Sequence, residues 1–572
     1  MVSLAPELLR IIGQYLASQH FEPTHATNKK TLRALCRVNK AFRDAFSEFL
    51  YAEVYLGYNH FVTDDPPQKW LVKESPETRH IKVIHFRPKG FEWNSREMEL
   101  DDHVRNCNSQ LRRLLANTPN VKRFVFDCTL TAVSSLEDGE FFLSSATLKA
   151  LKHCCPDLED ISFDLEAHPH EPGADRYCRD DDSWRDPEPI MPVPDDLKYS
   201  IADFNVFSGL AGLHLTGLQG PISKWIETLA CILGSSPKLT DLSLSLSRPT
   251  ADSFANVDDR DELYDFLMNL GNRYGDLGHP PLRLKSLKLY YPVLLCEDED
   301  GGFDYLDKLT DLSHLQELRL FNQSAVMRGN SPPDAPELAF YAIDPSTMPN
   351  LRQLTIGAWE AGIEHCFEEL DEEYASQLSL RVDPQTFIFD PNYDAGLPNM
   401  LNNEMVLRAK ELIIPQTWIG NGKDAPDNWD MFKVLESCHW ITSIGFTIDT
   451  TVAPYGLIDI LANMEGLKKL SIEYPKFKTN RGHGGDPLQR FKKVEYLKPE
   501  IVAAKCKHLT YMRLHGHGIK IWRPSAGTAE FEYLQDAEDA VVGSFFRKET
   551  REDNHWIAEA MDSDYFEPPR PL

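Results

Sequence analysis

The feature that restricts this chain most is a short unit that returns along nearly its whole length: an apolar residue, two others, an apolar residue, one other, and a third apolar residue. It starts at Ile81, Val121, Leu158, Leu210, Leu239, Leu284, Leu315 and Leu351, so that Ile81-x-x-Ile84-x-Phe86 and Leu239-x-x-Leu242-x-Leu244 follow one template. Four later copies start at Ala409, Ile441, Leu467 and Leu509, the first of them poor. The last two apolar positions alternate as side chains of a β-strand do, and the first lies just upstream, where the chain approaches the strand. So loose a template is matched by chance, and the flanks therefore decide. Pro119, Pro156, Pro237 and Pro349 each sit two residues before the first apolar position. A proline there ends a preceding helix and favours an extended approach. Cys155, Cys438 and Cys506 each sit three before it.

These features resemble leucine-rich repeats, particularly the cysteine-containing sort that commonly follows an F-box. The resemblance implies an α/β fold, an irregular solenoid in which each strand adds to one curved parallel sheet and the intervening helices cover its outer side. The mean step from Ile81 to Leu509 is about 39 residues, against about 20 to 29 in a typical leucine-rich repeat. The excess is longer helices and loops, or degenerate copies that the template misses.

Ahead of the array, Leu8, Leu9, Ile12 and Leu16 recur at helical spacing, with Pro6 suited to a first helical turn. After the polar segment His20 to Lys30, a second stripe of Leu32, Leu35, Cys36, Phe42, Phe46, Phe49 and Leu50 runs at steps of three, four and seven. The pattern Leu4-x-Pro6-Glu7-Leu8-Leu9-x-x-Ile12, then Leu32-x-x-Leu35-Cys36-x-Val38-Asn39-x-x-Phe42-Arg43, ending Leu50-Tyr51, resembles an F-box, especially the form found in fungal F-box proteins. It covers about a tenth of the chain, and its insert His20 to Lys30 is longer than the connection in many F-boxes. The resemblance implies that these helices bind a Skp-type adaptor and, through it, the cullin and RING subunits of an SCF ubiquitin ligase. The adaptor-binding set would be Leu4, Pro6, Leu8, Ile12, Leu32, Leu35, Val38 and Phe42, some of which must hold the helices together instead. The expected organisation is an F-box over 1–56, an irregular leucine-rich-repeat domain over 57–530, and an acidic, aromatic cap or tail over 531–572.

The balance of 60 basic against 88 acidic residues gives a net charge of -28, which argues against broad binding to nucleic acid or anionic membrane. Met1 to Leu50 runs the other way, with seven Lys/Arg against four Asp/Glu, and so suits an acidic partner surface. The 11 cysteines show no paired framework and read as reduced thiols. No signal peptide is expected, because Glu7 and Arg10 interrupt the first apolar positions, and no apolar run approaches a membrane span. The expected location is cytoplasmic or nuclear.

Glu166 to Ser200 holds ten acidic residues, four basic ones and six prolines, a composition expected of a mobile loop. Asn322 to Thr347, rich in Pro, Ser and Asp, is expected to leave the sheet as an excursion, and Ala361 to Leu407 lacks a clean copy of the unit. Phe531 to Leu572 has eleven acidic and four basic residues yet keeps Phe545, Phe546, Trp556 and Ile557, so part of it is expected to pack as a helix over the last repeat.

Candidates for catalysis are thin. Gly420-Asn421-Gly422-Lys423-Asp424 lacks the first glycine and the Ser/Thr of a phosphate loop, and Glu297 to Gly302 lacks the alternating ligands of a calcium loop. His483-Gly484-Gly485-Asp486 and His515-Gly516-His517-Gly518 have no cysteine pair to complete a metal set. A non-catalytic protein with no cofactor or metal is the expectation. In a leucine-rich array the residues between the apolar strand positions face the concave side, and here Lys122, Lys288, Arg319, Gln353 and Arg513 are the candidates for holding an acidic or phosphorylated segment of a protein substrate. A repeat scaffold that never joins a ligase is the alternative, and copurification with an adaptor separates the two.

Overall fold

The structure, a computed structural model, describes residues 6–18, 31–57, 77–87, 100–126, 143–165, 199–218, 220–246, 265–290, 293, 295, 304–321, 346–356, 367–368, 370–382, 406, 409–414, 441–447, 457–473, 498–514, 517–523 and 529–533. They fall into two compact units, divided between Leu312 and Ser313.

The first unit opens with helices α1 (Pro6–Ser18), α2 (31–36) and α3 (Lys40–Leu50). Then come seven strands that pair in chain order, all parallel: β1 (Glu53–Gly57), β2 (Val83–Arg87), β3 (Arg123–Phe126), β4 (Asp160–Asp164), β5 (Gly212–Leu218), β6 (Asp241–Leu246) and β7 (Ser286–Tyr290). Helices α4 (Leu100–Asn117), α5 (Ser145–Cys154), α6 (Ile222–Gly234) and α7 (Phe266–Asp276) lie between strands, and α8 (Asp304–Leu309) follows β7. In the second unit β8 (Glu317–Phe321), β9 (Gln353–Ile356), β10 (Ser379–Val382), β11 (Glu411–Ile414), β12 (Ser443–Thr447), β13 (Lys469–Glu473) and β14 (Tyr511–Leu514) follow in chain order, with parallel pairing from β8 to β14. Its helices are α9 (Glu372–Ala375), α10 (Leu457–Asn463) and α11 (Pro499–Lys505). Two antiparallel strands, β15 (His517–Trp522) and β16 (Glu530–Tyr533), close the series. Each unit is α/β with a mostly parallel sheet and helices, an arrangement compatible with a repeat solenoid.

In all twelve copies of the apolar unit the last two apolar positions lie on a strand, and every first position, just ahead of its strand, is no more than 2% exposed. The flanking proline has a more local job than ending a helix. The N–H of Val121 donates to the Thr118 carbonyl at 3.3 Å, and Leu351 donates to Met348 at 3.1 Å. Each is a turn closed over three residues, with Pro119 or Pro349 at its second position, where the proline ring presets φ. The same closure recurs without proline, from Leu467 to Met464 at 3.0 Å and from Leu509 to Cys506 at 3.2 Å. The next residue then donates to its counterpart one repeat back, as Lys122 does to Lys82 at 2.8 Å, which fixes the register before the strand begins. The cysteine three before the first apolar position turns its thiol inward: Cys155 Sγ donates to the Thr118 carbonyl at 3.6 Å. Burial pushes the Cys155 thiol up to about 12 and the Cys506 thiol up to about 11, so both stay protonated at neutral pH.

Four strands fall outside the twelve: β1, β10 and the antiparallel pair β15 and β16. In β1, Tyr51-x-x-Val54-x-Leu56 is a copy with an aromatic first position, so the segment 1–56 contains a repeat strand as well as its helices. In β10 the first position is Gln377, and Leu378 and Leu380 are buried apolar residues, which places a degenerate copy in Ala361 to Leu407. The part of 531–572 that is described, Phe531 to Tyr533, belongs to strand β16, and β15 covers the edge of β14 with Ile519 and Ile521 buried. Residues 534–572 lie outside the described residues, as do 166–198 and 322–345.

Candidate functional site

The helix trio at the front of the first unit leaves apolar surface uncovered. On α1, Leu9 is 2% exposed, and Gly13 lies so close to α3 that an added Cβ would come within 2.5 Å of the Phe49 ring. That face is the inner one. On the flank, Leu8, Ile11 and Ile12 stand 49%, 60% and 40% exposed, at the i, i+3 and i+4 positions that share one side of a helix. Val38, in the turn between α2 and α3, is 60% exposed. Asn39 starts α3, its Oδ1 accepting the Phe42 N–H at 3.0 Å. Arg10, Arg37, Lys40 and Arg43 are all exposed on these same elements.

The expected adaptor-binding residues divide accordingly. Leu8, Ile12 and Val38 are exposed, while Leu35 and Phe42 are half-buried, the Phe42 ring 5.7 Å from that of Phe46. Leu32 is 2% exposed and is a core residue of the helix trio, not a contact available to a partner. Pro6 is the first residue of α1, and Leu4 lies outside the described residues. Ile11, which the expected set omits although its spacing shows it, completes the stripe that Leu8 and Ile12 begin. Beneath the surface, Cys36 is fully buried and its thiol is pushed up by that burial, and Tyr51 is raised to about 12 chiefly by burial and then by Glu77.

The second candidate surface is the sheet face opposite the apolar ladders. In the first unit, His214 Nδ1 lies 2.9 Å from Ser243 Oγ on the next strand, and Arg123 Nε is 3.6 Å from Asp160 Oδ1. Gly212 between them is bare for a reason, since a Cβ there would meet Asp160 Oδ2 at 2.7 Å. Burial lowers the His214 pKa below its ordinary value, opposed by Asp160 and Asp241 and reinforced by Lys288 and Arg123. Lys288, on β7, pairs in register with Ser243. Lys122 is not on a strand: it leads into β3, where Glu159 Oε1 lies 2.9 Å from its Nζ and holds its pKa up.

In the second unit, Arg319 pairs with Glu317 on its own strand, and Gln353 stands exposed at the start of β9. Arg513 is half-buried on β14, five strands beyond β9, so it shares no local site with Arg319 and Gln353. Arg381, outside the candidate set, lies 8% exposed on β10 in the same cross-strand row as Arg319 and Thr355. It sits in the degenerate copy, where no template pointed to it. Glu411 accepts hydrogen bonds from Ser379 Oγ at 2.7 Å and from Ser443 Oγ at 3.4 Å.

Among the described residues, no group of three or more His, Cys, Asp and Glu side chains is arranged to hold a metal ion, and no helix is long and apolar enough to cross a membrane. Gly420 to Asp424, Glu297 to Gly302 and His483 to Asp486 lie outside the described residues. Of the other histidine segment, His517 and Gly518 belong to β15.

No family model matches the sequence, and no curated protein matches it. Among solved structures, the chain is similar to one in the crystal structure of the Rad7 and Elc1 complex in yeast, with 12% identity and a TM-score of 0.33 over 83% of this chain and 91% of that one. A likeness of that degree is too loose to carry a residue or a role from one chain to the other.

Proposed function

We propose that this chain is the substrate-recognition subunit of an SCF-type ubiquitin ligase, an F-box and leucine-rich-repeat protein with no catalytic group of its own. The helix trio binds a Skp-type adaptor, and the repeat strands receive a protein substrate. The observation that carries the reading is the stripe Leu8, Ile11 and Ile12, left exposed on α1 while Leu9 and Gly13 face α3. Burying each such side chain against a partner contributes about 1.5–3 kcal/mol before association costs are subtracted. The exposed Arg10, Arg37, Lys40 and Arg43 suit an adaptor surface with an acidic rim.

The mechanism is proximity: holding substrate lysines near a ubiquitin thioester raises their effective concentration. A stiff connection favours this, and only Tyr51 and Ala52 separate α3 from β1. Tyr51 is buried, and its N–H donates to the Ser47 carbonyl at 3.0 Å, so α3 serves at once as a docking helix and as the helix of the first repeat.

Copurification from native cells tests the reading. The full chain is expected to bring down a Skp-type adaptor and a cullin, and Ile12→Glu with Leu8→Glu is expected to abolish this while the circular dichroism stays unchanged. A folded chain that brings down no adaptor would favour the scaffold alternative.

A further inference from the structure

The second unit carries a basic row whose cations are not among the residues named above. In each repeat, the residue after the first apolar position lies along one margin of the sheet, joined to the next by backbone hydrogen bonds. Ser379 N–H reaches the Arg352 carbonyl at 2.8 Å, Lys410 reaches Leu378 at 3.0 Å, Thr442 reaches Lys410 at 3.0 Å, and Lys468 reaches Thr442 at 2.8 Å. The row therefore reads Arg352, Leu378, Lys410, Thr442, Lys468, with a cation at every second rung. Leu378 is buried, and Thr442 turns its hydroxyl back onto the Lys410 carbonyl at 3.2 Å, so the intervening rungs offer little to a partner. Arg352, Lys410 and Lys468 are exposed, although Arg352 Nη1 also donates to the Leu351 carbonyl at 2.8 Å. The carboxylate next to Lys410, Glu411, is engaged by Ser379 and Ser443.

Spacing identifies the ligand. Adjacent strands lie about 4.8 Å apart, so cations on alternate strands recur at about 9.6 Å. A polyproline II segment has three residues per turn and rises about 3.1 Å per residue, which brings every third side chain to the same face at about 9.3 Å. We propose that this row docks an extended, polyproline II-type segment of a partner protein carrying Asp or Glu at every third residue, its carboxylates set against Arg352, Lys410 and Lys468. Charge complementarity favours such an occupant, since the row itself contains no acidic residue although the chain carries a net charge of -28. The inference rests on the reading that the repeat strands receive a protein, and it names that protein's chemistry.

The test is fluorescence anisotropy at low salt, with the full chain and no adaptor present. The probe is a labelled peptide of three Glu-Pro-Ala triplets, set against a peptide of the same composition with its three glutamates contiguous. The triplet peptide is expected to bind about tenfold more tightly than the contiguous one, and Lys410→Glu with Lys468→Glu to weaken it by about tenfold again. Lys410→Gln with Lys468→Gln is expected to fall between, which guards against a folding effect of the reversed charges. Equal binding of the two peptides, unchanged binding by the reversal variant, or binding only when phosphoserine replaces glutamate would overturn the proposal. The α1 variants Ile12→Glu and Leu8→Glu are expected to bind the triplet peptide normally. Failure of adaptor copurification and failure of this docking row are thus read separately.

Discussion

Gly13 sets how closely α1 and α3 approach, and with it the pose of the Leu8, Ile11 and Ile12 stripe. A Cβ there would lie 2.5 Å from Phe49 Cδ2 and 3.0 Å from Phe46 Cδ1. Gly13→Val therefore forces the helices apart, at a cost of about 1–3 kcal/mol for overpacking that outweighs the modest helix-propensity penalty of glycine. Faster amide exchange confined to α1 and α3, together with loss of adaptor copurification, is the expected result, and unchanged exchange in both helices would refute it. His214 answers to pH. Its folded pKa lies below the ordinary 6.5 because burial disfavours the cation, so below pH 6.5 the unfolded chain takes up the proton first. The stability that this histidine contributes is complete above that pH and is lost as pH falls from 6.5 toward the folded value. His214→Gln is expected to flatten this part of the pH dependence of the urea midpoint between pH 7.5 and 5.5. An identical slope in variant and parent would show that the neighbouring Asp160, Asp241, Arg123 and Lys288 cancel the effect.

At the scale of elements, α3 depends on its cap. The Asn39 side chain satisfies the Phe42 N–H, so Asn39→Ala is expected to cost about 1 kcal/mol and to speed exchange in the first turn of α3, whereas Asn39→Asp keeps an acceptor and most of the stability. A denaturant midpoint unchanged by the alanine would remove the cap from the account. The strands were the legible part of this chain, because a buried ladder with period two must write apolar residues at fixed offsets, as Leu318 and Leu320 do. Strand β10 was not legible, since Gln377 occupies its first position and the buried Leu378 lies one residue late. Strand β1 was hidden for another reason: Tyr51 fits the template, but the helical pattern before it claimed the residue. The helices at the front were visible from their spacing, yet spacing alone does not separate Leu32, which is buried between helices, from Ile12, which is not. The basic row was invisible because its members are about 58 residues apart in sequence and become neighbours only through the backbone bonds of the sheet.

At the scale of the molecule, strands paired in chain order mean that each repeat in the second unit leans on its two neighbours and on little else. Damage should then stay local. Leu380 is buried at the centre of β10, between β9 and β11, and Leu380→Ala is expected to cost about 2–5 kcal/mol as a cavity. In a nearest-neighbour array that loss appears as faster exchange in β9, β10 and β11, with β2 to β5 of the first unit protected as before. Hydrogen exchange read by peptide mass spectrometry decides it, and a uniform rise across both units would mean that the chain unfolds as one body. The outcome also bears on the ligase reading, because a receptor working by proximity needs its docking helices and its substrate strands to hold position independently of small local failures. If Leu380→Ala loosens only its neighbours, adaptor copurification through α1 should survive the substitution, while peptide docking on the row that runs through Leu378 should weaken.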